Sequence, residues 1–353
     1  MNRQYFLDHA PIEAYFKQNK DDFVVNEIPL YEFSGSGEHL IVKLRKKDLS
    51  TWDALKILSD SIGVKNKDIG YAGLKDKNAM TIQSISIPKS FEASLTKLNH
   101  PNIKILETTY HNNKIKIGHL KGNKFFIRLK KVGKTQNTQI CSVLEKINKF
   151  GMPNYFGFQR FGIEGDNYKK GEAIIKGELK VKDVKLRQMY LNAFQSINFN
   201  DWLSKRIEMS KMINGFEPKE ISKILQIDEM ILKEIKKQEH IFKLLPGELM
   251  HHYPYGKIFI ADDLASEASK FMARDRVPTG ILCGKKVMTS QADAWQIEQN
   301  YQKDISLDGA RRFGWIFPEN IEYKYNEIDA QFELSFYLPK GSYATVLIEE
   351  LIH

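Results

Sequence analysis

Cysteine is almost missing from this chain. Cys141 and Cys283 are the only two among 353 residues and lie far apart. No disulfide framework follows, and a reducing compartment fits. Long apolar runs are missing too: none approaches the ~20 residues a membrane-spanning helix needs. The opening MNRQYFLDHAPIEAYF lacks the apolar stretch of an export signal. The expectation is a cytoplasmic protein with no membrane partner. Metal-ligand spacings are also lacking. There is no C-x-x-C and no H-E-x-x-H, and the adjacent His251 and His252 cannot share one helical face. Turn hydrogen bonds are the expected use of that pair, and no metal is expected. Neither a G-x-x-x-x-G-K-[ST] loop nor a G-x-G-x-x-G loop occurs, so no nucleotide cofactor is expected. No G-x-S-x-G elbow marks a serine nucleophile.

Acid is the scarcer charge: 44 Asp and Glu face 53 Lys and Arg, a net charge of +9. An excess of that sign favours a polyanionic partner, nucleic acid before an anionic membrane surface. The excess is concentrated. From 104 to 134, Lys104, Lys114, Lys116, Lys121, Lys124, Arg128, Lys130, Lys131 and Lys134 stand against Glu107 alone. Such a run is either a solvated strand surface or a phosphate-binding face.

With 42% hydrophobic residues the chain can fill a core, so disorder is not expected. DFVVNEI (22–28), HLIVKL (39–44) and TIQSISI (81–87) read as strands. STWDALKILSDSIG reads as a helix capped by Ser50 with Asp53 three residues on. Trp52, Leu55, Leu58 and Ile62 would form its apolar face, and Gly63 its end. TTYHNNKIKIGHL suggests a hairpin turning at Asn112 and Asn113, and NKFFIRLKKV another strand. Residues 135–150 and most of 168–245 carry helical periodicity. QFELSFYL is a late strand, followed by a helix that Ser342 could cap. Mixed α/β character at both ends around a helix-rich middle suits an insertion inside a core domain.

Two constellations carry chemistry. In GYAGLKDKNAMTIQ, Asp76 lies between Lys75 and Lys77 in a predicted loop. It is either a solvated loop charge or a carboxylate that neighbouring cations keep ionised for nucleophilic attack. The second is aromatic and basic. LKGNKFFIRLKK and NYFGFQRFG interleave rings with Asn123, Gln159, Arg160 and lysines. Such rings either fill a core or stack unpaired bases while cations hold phosphates.

At GLKDKNAMTIQ the chain resembles the TruD family of tRNA pseudouridine synthases. DDFVVNEI resembles that family's D-F-x-V-x-E element, LKGNKFFIRL its K-G-N-x-F, and PNYFGFQRFG its N-Y-F-G-x-Q-R-F-G signature. LNAFQSINFN, PTGILCG, DGARR and FYLPKGSYAT follow in the family's order, with Ile281 where proline is more usual. The stretch 205–250 is the least characteristic.

The resemblance implies an α+β fold: a pseudouridine-synthase-like mixed-sheet core with permuted strand order, interrupted by a helix-rich insertion. The core is expected at 1–154 and 316–353, the insertion at 155–315. It implies isomerisation of a uridine, usually at position 13 in the D-arm of tRNA, without a cofactor. Asp76 would be the nucleophile with Lys17 near it. Phe23, Asn123, Phe125 and Phe336 would line the uridine site. Lys77, Lys121, Lys124, Arg128 and Arg160 are candidates for the RNA backbone. The base must leave its stack, and rings would offset that cost. The expected partner is tRNA and the expected state a monomer. A non-catalytic RNA-binding protein, or a metal-free hydrolase or transferase acting on another polyanion, are the rival readings.

Overall fold

The computed structural model describes residues 3–16, 19–75 and 77–353. They form two compact units. One comprises Ile12–Ser142 and Pro318–Gly341; the other comprises Met1–Pro11, Val143–Phe317 and Ser342–His353. The sequence reading divided the chain at 154/155 and 315/316 instead, and counted both termini with the core.

The first unit opens with β1 (Phe23–Pro29), β2 (His39–Lys46), helix α1 (Thr51–Ile62), β3 (Gly70–Tyr71), β4 (Met80–Pro88), β5 (Ile103–His111) and β6 (Leu120–Lys130). Helix α2 (Lys134–Phe150) carries the chain into the second unit. There β7 (Met152–Pro153) precedes helices α3 (Asn167–Ile175), α4 (Val184–Gly215), α5 (Pro218–Leu225) and α6 (Glu229–Lys236). Next come β8 (Leu249–His252), β9 (Ile258–Ile260), α7 (Leu264–Met272), β10 (Arg276–Leu282), α8 (Ala292–Glu298), β11 (Ala310–Phe313) and β12 (Trp315–Ile316). The chain returns to the first unit with β13 (Glu319–Asn326) and β14 (Gln331–Pro339). It ends on α9 (Ala344–Ile352) of the second.

The first unit is built on an eight-stranded sheet in the order β13-β14-β6-β1-β4-β2-β5, with β3 also on β4. β1 and β4 run parallel; the other ladders of this sheet are antiparallel. Alternation decides which side chains meet. Phe23, Val25 and Glu27 of β1 stand opposite Ile127, Phe125 and Asn123 of β6. Those three stand opposite Leu334, Phe336 and Leu338 of β14. One face of the sheet therefore carries rings, a carboxylate and an amide side by side.

Helix α1 begins as its sequence requires. The Ser50 hydroxyl accepts from the Asp53 N–H at 3.1 Å, and the Asp53 carboxylate accepts from the Ser50 N–H at 2.9 Å. Gly63 ends it in the left-handed conformation, φ 80°. Its buried stripe is Thr51, Ala54, Leu55, Leu58 and Ile62, packed on Leu40, Val42, Leu44, Ile85 and Ile87. Trp52, expected inside, is 57% exposed and meets Tyr71 edge-on. Thr51 takes the inward place because its hydroxyl has two polar partners there.

Two other expectations are corrected. The hairpin at Asn112 and Asn113 does not form: β5 pairs along the edge of β2. The chain after it is held by Ile115, which buries against Ile41 and Ala72 and donates its N–H to Ser86 Oγ at 2.9 Å. Helix α9 is not capped by Ser342: its N-cap is Tyr343, with no side-chain cap.

In the second unit, Asp183 caps α4 by accepting the Leu186 N–H at 3.0 Å. This helix buries Phe199, Trp202, Leu203 and Ile207. Arg206 pairs with Glu248 through bonds of 2.9 and 2.7 Å, both side chains almost fully buried.

Gly122, between Lys121 and Asn123, sits where β6 passes the Leu338 carbonyl and the Tyr337 ring so closely that a Cβ would overlap both. Gly122→Ala should push β6 from β14 and lower stability by about 1–3 kcal/mol. Urea denaturation measures this; an unchanged midpoint would contradict it.

Candidate active site

The site begins at a split in the sheet. β1 pairs with β4 from Val24 to Asn26, opposite Met80 to Ile82, and then leaves it. The Ser84 N–H beyond the split donates at 3.3 Å to Glu27 Oε1. The other oxygen of Glu27 meets Lys75 Nζ at 2.8 Å, and the two side chains are 1% and 5% exposed. Lys75 Nζ also donates to Asn123 Oδ1 at 2.7 Å. Its backbone N–H donates to Thr51 Oγ1 at 2.8 Å, and Thr51 donates to Gln83 Oε1 at 3.2 Å. The loop between β3 and β4 is thus tied at Lys75 to α1, β1 and β6, and Thr51 and Glu27 in turn bond to β4. An unpaired buried charge costs several kcal/mol, so each partner makes the other tolerable.

Beside this polar cluster runs a row of rings. Phe16 meets Phe23 edge-on at 5.4 Å, Phe23 stacks on Phe125 at 6.2 Å, and Phe125 on Phe336 at 5.4 Å. Phe23 and Phe125 are buried, and Phe336 has no exposed surface. The four residues predicted for the uridine site, Phe23, Asn123, Phe125 and Phe336, are therefore neighbours on one sheet face.

The two predicted catalytic residues, Asp76 and Lys17, lie outside the described residues. Their chain neighbours do meet. Lys20 Nζ donates to Asn78 Oδ1 at 3.4 Å and pairs with Asp48 at 2.7 Å. Asp22 caps this approach to β1. It is buried, accepts the Asn19 N–H at 3.0 Å, and pairs with Lys130 at 2.8 Å and Arg128 at 3.2 Å. Burial pushes its carboxyl up. Hydrogen bonds from Lys130, the Asn19 N–H and Arg128 outweigh that and hold it below the ordinary range.

The backbone candidates separate. Lys77, Lys121 and Lys124 are exposed. Arg128 is shared between Asp22 and Glu333, which offset its charge. Arg160 belongs to the other unit, where it donates to Ser196 Oγ at 3.0 Å. There NYFGFQRFG is mostly core. The Asn200 amide bonds both the N–H and the carbonyl of Phe156, at 2.8 and 3.0 Å. Asn154 holds Arg312 at 2.9 Å, and Arg312 lies 3.9 Å from the Phe156 ring centre. Burial lowers the Arg312 pKa to about 10. Phe158 alone of this motif's four rings stands exposed, with the Arg3 guanidinium 4.6 Å from its centre.

His251 and His252 fall in β8, not in a turn, against Phe313 and Phe259. Among the described residues no group of three His, Cys, Asp or Glu side chains could hold a metal. An open cavity of about 610 Å³ touches the polar cluster at Glu27 and Ser84 and is otherwise walled by Asn26, Tyr31, Phe33, Lys43, Thr109 and neighbours. None of the four predicted uridine-site residues borders it, so the rings and polar cluster, not this cavity, define the candidate site.

The model of the tRNA pseudouridine synthase D (TruD) family matches residues 2–182 and 179–351. The chain belongs to this family. The tRNA pseudouridine synthase D of a Nitratiruptor species is 52% identical over 354 residues, spanning 100% of this chain and 98% of that protein. The protein of the same name from Wolinella succinogenes is 52% identical over 355 residues, spanning 100% of this chain and 98% of its own. That from Helicobacter hepaticus is 45% identical over 370, spanning 100% and 96%. A crystal structure of a TruD from Methanosarcina mazei superposes with a TM-score of 0.71 at 20% identity. It covers 99% of this chain and 95% of that one, a likeness of fold.

Sequence reasoning missed the pairing of Glu27 with Lys75. The TruD motifs contain both residues, the glutamate ending D-F-x-V-x-E and the lysine preceding Asp76. Nothing in their spacing, 48 positions apart in the sequence, shows that they meet.

Because Asp22 is held below its unfolded value, its stabilisation is complete above the ordinary carboxylate pKa, ~3.9. It is lost as pH falls through the lower folded value. The stability gap between the native chain and Asp22→Asn should be level from pH 7 to about 5 and close in stronger acid. Denaturation across pH tests this; a gap that widens on acidification would refute it.

Proposed function

We propose that this chain isomerises uridine to pseudouridine at position 13 in the D-arm of tRNA, with Asp76 as nucleophile and the base turned out of its stack. One observation carries the site assignment. Lys75, the residue before Asp76, is anchored by its side chain and its backbone beside the Phe23–Phe125–Phe336 row, in a chain that matches the TruD family from end to end.

The chemistry follows from the groups available. The bond from C1′ to N1 breaks, the base turns, and C1′ joins C5. The proton displaced from C5 is balanced by one gained at N1, so product and substrate are isomers and no cofactor is consumed. A carboxylate can take part by adding to C1′, by adding to C6, or by removing the 2′ proton. In each case it must be ionised, and a nearby cation favours that form. Lys17 is the first candidate, since the segment after it touches the Asp76 loop through Lys20 and Asn78; Lys77 is the second. The rings exclude water from a reactive sugar centre and offset the cost of unstacking, a few kcal/mol. Lys121 and Lys124, exposed on β6, take phosphates. Arg160 and the helix-rich unit, which spans most of the predicted insertion at 155–315, add contacts. The working form is a cytoplasmic monomer.

Asp76→Asn should leave tRNA binding intact and abolish pseudouridine in a tRNA transcript, read by carbodiimide primer extension. Full retention of the product would end the proposal. Replacing Lys121 and Lys124 together by alanine should weaken tRNA binding at low salt. The slope of log K against log[salt] should fall by about one per lysine. An unchanged slope would remove them from the interface.

A further inference from the structure

An asparagine amide can turn either its donor or its acceptor end to a base, and the site residues fix which way it is turned at Asn123. The Lys75 ammonium has three donors and no acceptor. What it meets at 2.7 Å is therefore the amide oxygen. The ammonium cannot swing away cheaply. Glu27 holds it at 2.8 Å, both side chains are almost fully buried, and the second Glu27 oxygen is taken by the Ser84 N–H. The Lys75 backbone is pinned to Thr51 as well. Rotating the amide by half a turn would set NH₂ against NH₃⁺ and leave the ammonium short of a partner in a low-dielectric setting.

We infer that Lys75 is a positioning residue that fixes the orientation of the Asn123 amide, holding Oδ1 and leaving NH₂ to donate to the base, so that the base it accepts presents a ring carbonyl oxygen there. Uracil offers two such oxygens, O2 and O4. Cytosine keeps O2 but presents an amino group in place of O4, donor against donor. If O4 is the oxygen read, the lock also selects uridine over cytidine. Glu27 serves the same end indirectly, by holding Lys75 in place. The inference rests on Asn123 lying at the uridine site, as proposed above.

Sulfur is a poor hydrogen-bond acceptor, so thio-substituted bases test the contact. Single-turnover rates are measured on tRNA transcripts carrying uridine, 2-thiouridine or 4-thiouridine at the target. The native chain, Asn123→Ala, Asn123→Asp and the charge-neutral double variant Lys75→Met/Glu27→Gln are compared. In the native chain one of the two sulfur substitutions should slow the reaction about tenfold, the loss of one good hydrogen bond. That penalty should disappear in Asn123→Ala and shrink toward unity in the double variant, with its melting temperature and tRNA affinity near native. A purely structural role for Lys75 would leave the penalty at its native size. Asn123→Asp keeps a partner for Lys75 but offers acceptors to the base, and should lose about a hundredfold on uridine itself. The inference is overturned if neither sulfur matters in the native chain, if the penalty survives undiminished in the double variant, or if Asn123→Asp works at the native rate. A native chain that forms no pseudouridine from plain uridine would instead overturn the proposed function.

Discussion

A lysine and a glutamate meeting out of reach of water set the terms for the rest of the sheet unit. Glu27 and Lys75 are each costly where they stand, and together they are tolerable. Their meeting requires β1 to part from β4 after Asn26, so that a carboxylate can take the Ser84 N–H that the lost strand pairing would leave open. It also requires the loop after β3 to turn inward at Lys75. Thr51 at the start of α1 secures that turn through the Lys75 N–H. A capped helix, a split ladder and a loop are thus coupled through one buried ammonium.

The same sheet separates charge paired within the fold from charge that stays exposed. Asp22 and Glu333 absorb Arg128 and Lys130 where β1, β6 and β14 meet, while Lys121 and Lys124, nearer the start of β6, stay exposed. The nine-cation stretch that dominates the net charge is therefore not one uniform face. Lys43 and Glu107, or Lys134 and Glu327, are exposed pairs of the kind that contribute little to stability. Counting charges along the chain measured the attraction to a polyanion; which cations remain available was decided by the strands opposite them.

Much of this was legible in the residues, and the exceptions share a cause. The capping box at Ser50, the glycine stop at Gly63 and the strands around 22–28, 81–87 and 331–338 are local signals, and each appears where its residues put it. Trp52 was placed inside by its helical spacing from Leu55, Leu58 and Ile62, a spacing that Thr51 satisfies as well. The buried stripe runs through Thr51, Leu55, Leu58 and Ile62, and the threonine hydroxyl has two polar partners there. The hairpin after β5 failed because Ile115 had a better partner in Ile41 and Ala72, far off in sequence. The aromatic signature at 154–162 resisted reading for the same reason. Its rings mostly fill a core, and its amide and guanidinium partners come from α4 and β11. Phe23, Asn123, Phe125 and Phe336 were named through the family resemblance, since no periodicity could bring β1, β6 and β14 together.

An isomerisation that neither gains nor loses atoms has no thermodynamic help from a cofactor, so its catalyst must work through placement. Effective molarities show how much of a barrier orientation can remove, provided the groups are held before the substrate arrives. Holding them on a loop alone would be imprecise, because loops are mobile. The arrangement around Lys75 restrains its loop. It ties the loop to a helix and two strands at a single residue, with hydrogen bonds and charge rather than with bulk. Bulk is then free to be spent on the stacked rings beside it. Polar groups that fix geometry and apolar groups that exclude water thus occupy adjacent positions on the same pleat, and strand alternation alone keeps them in register.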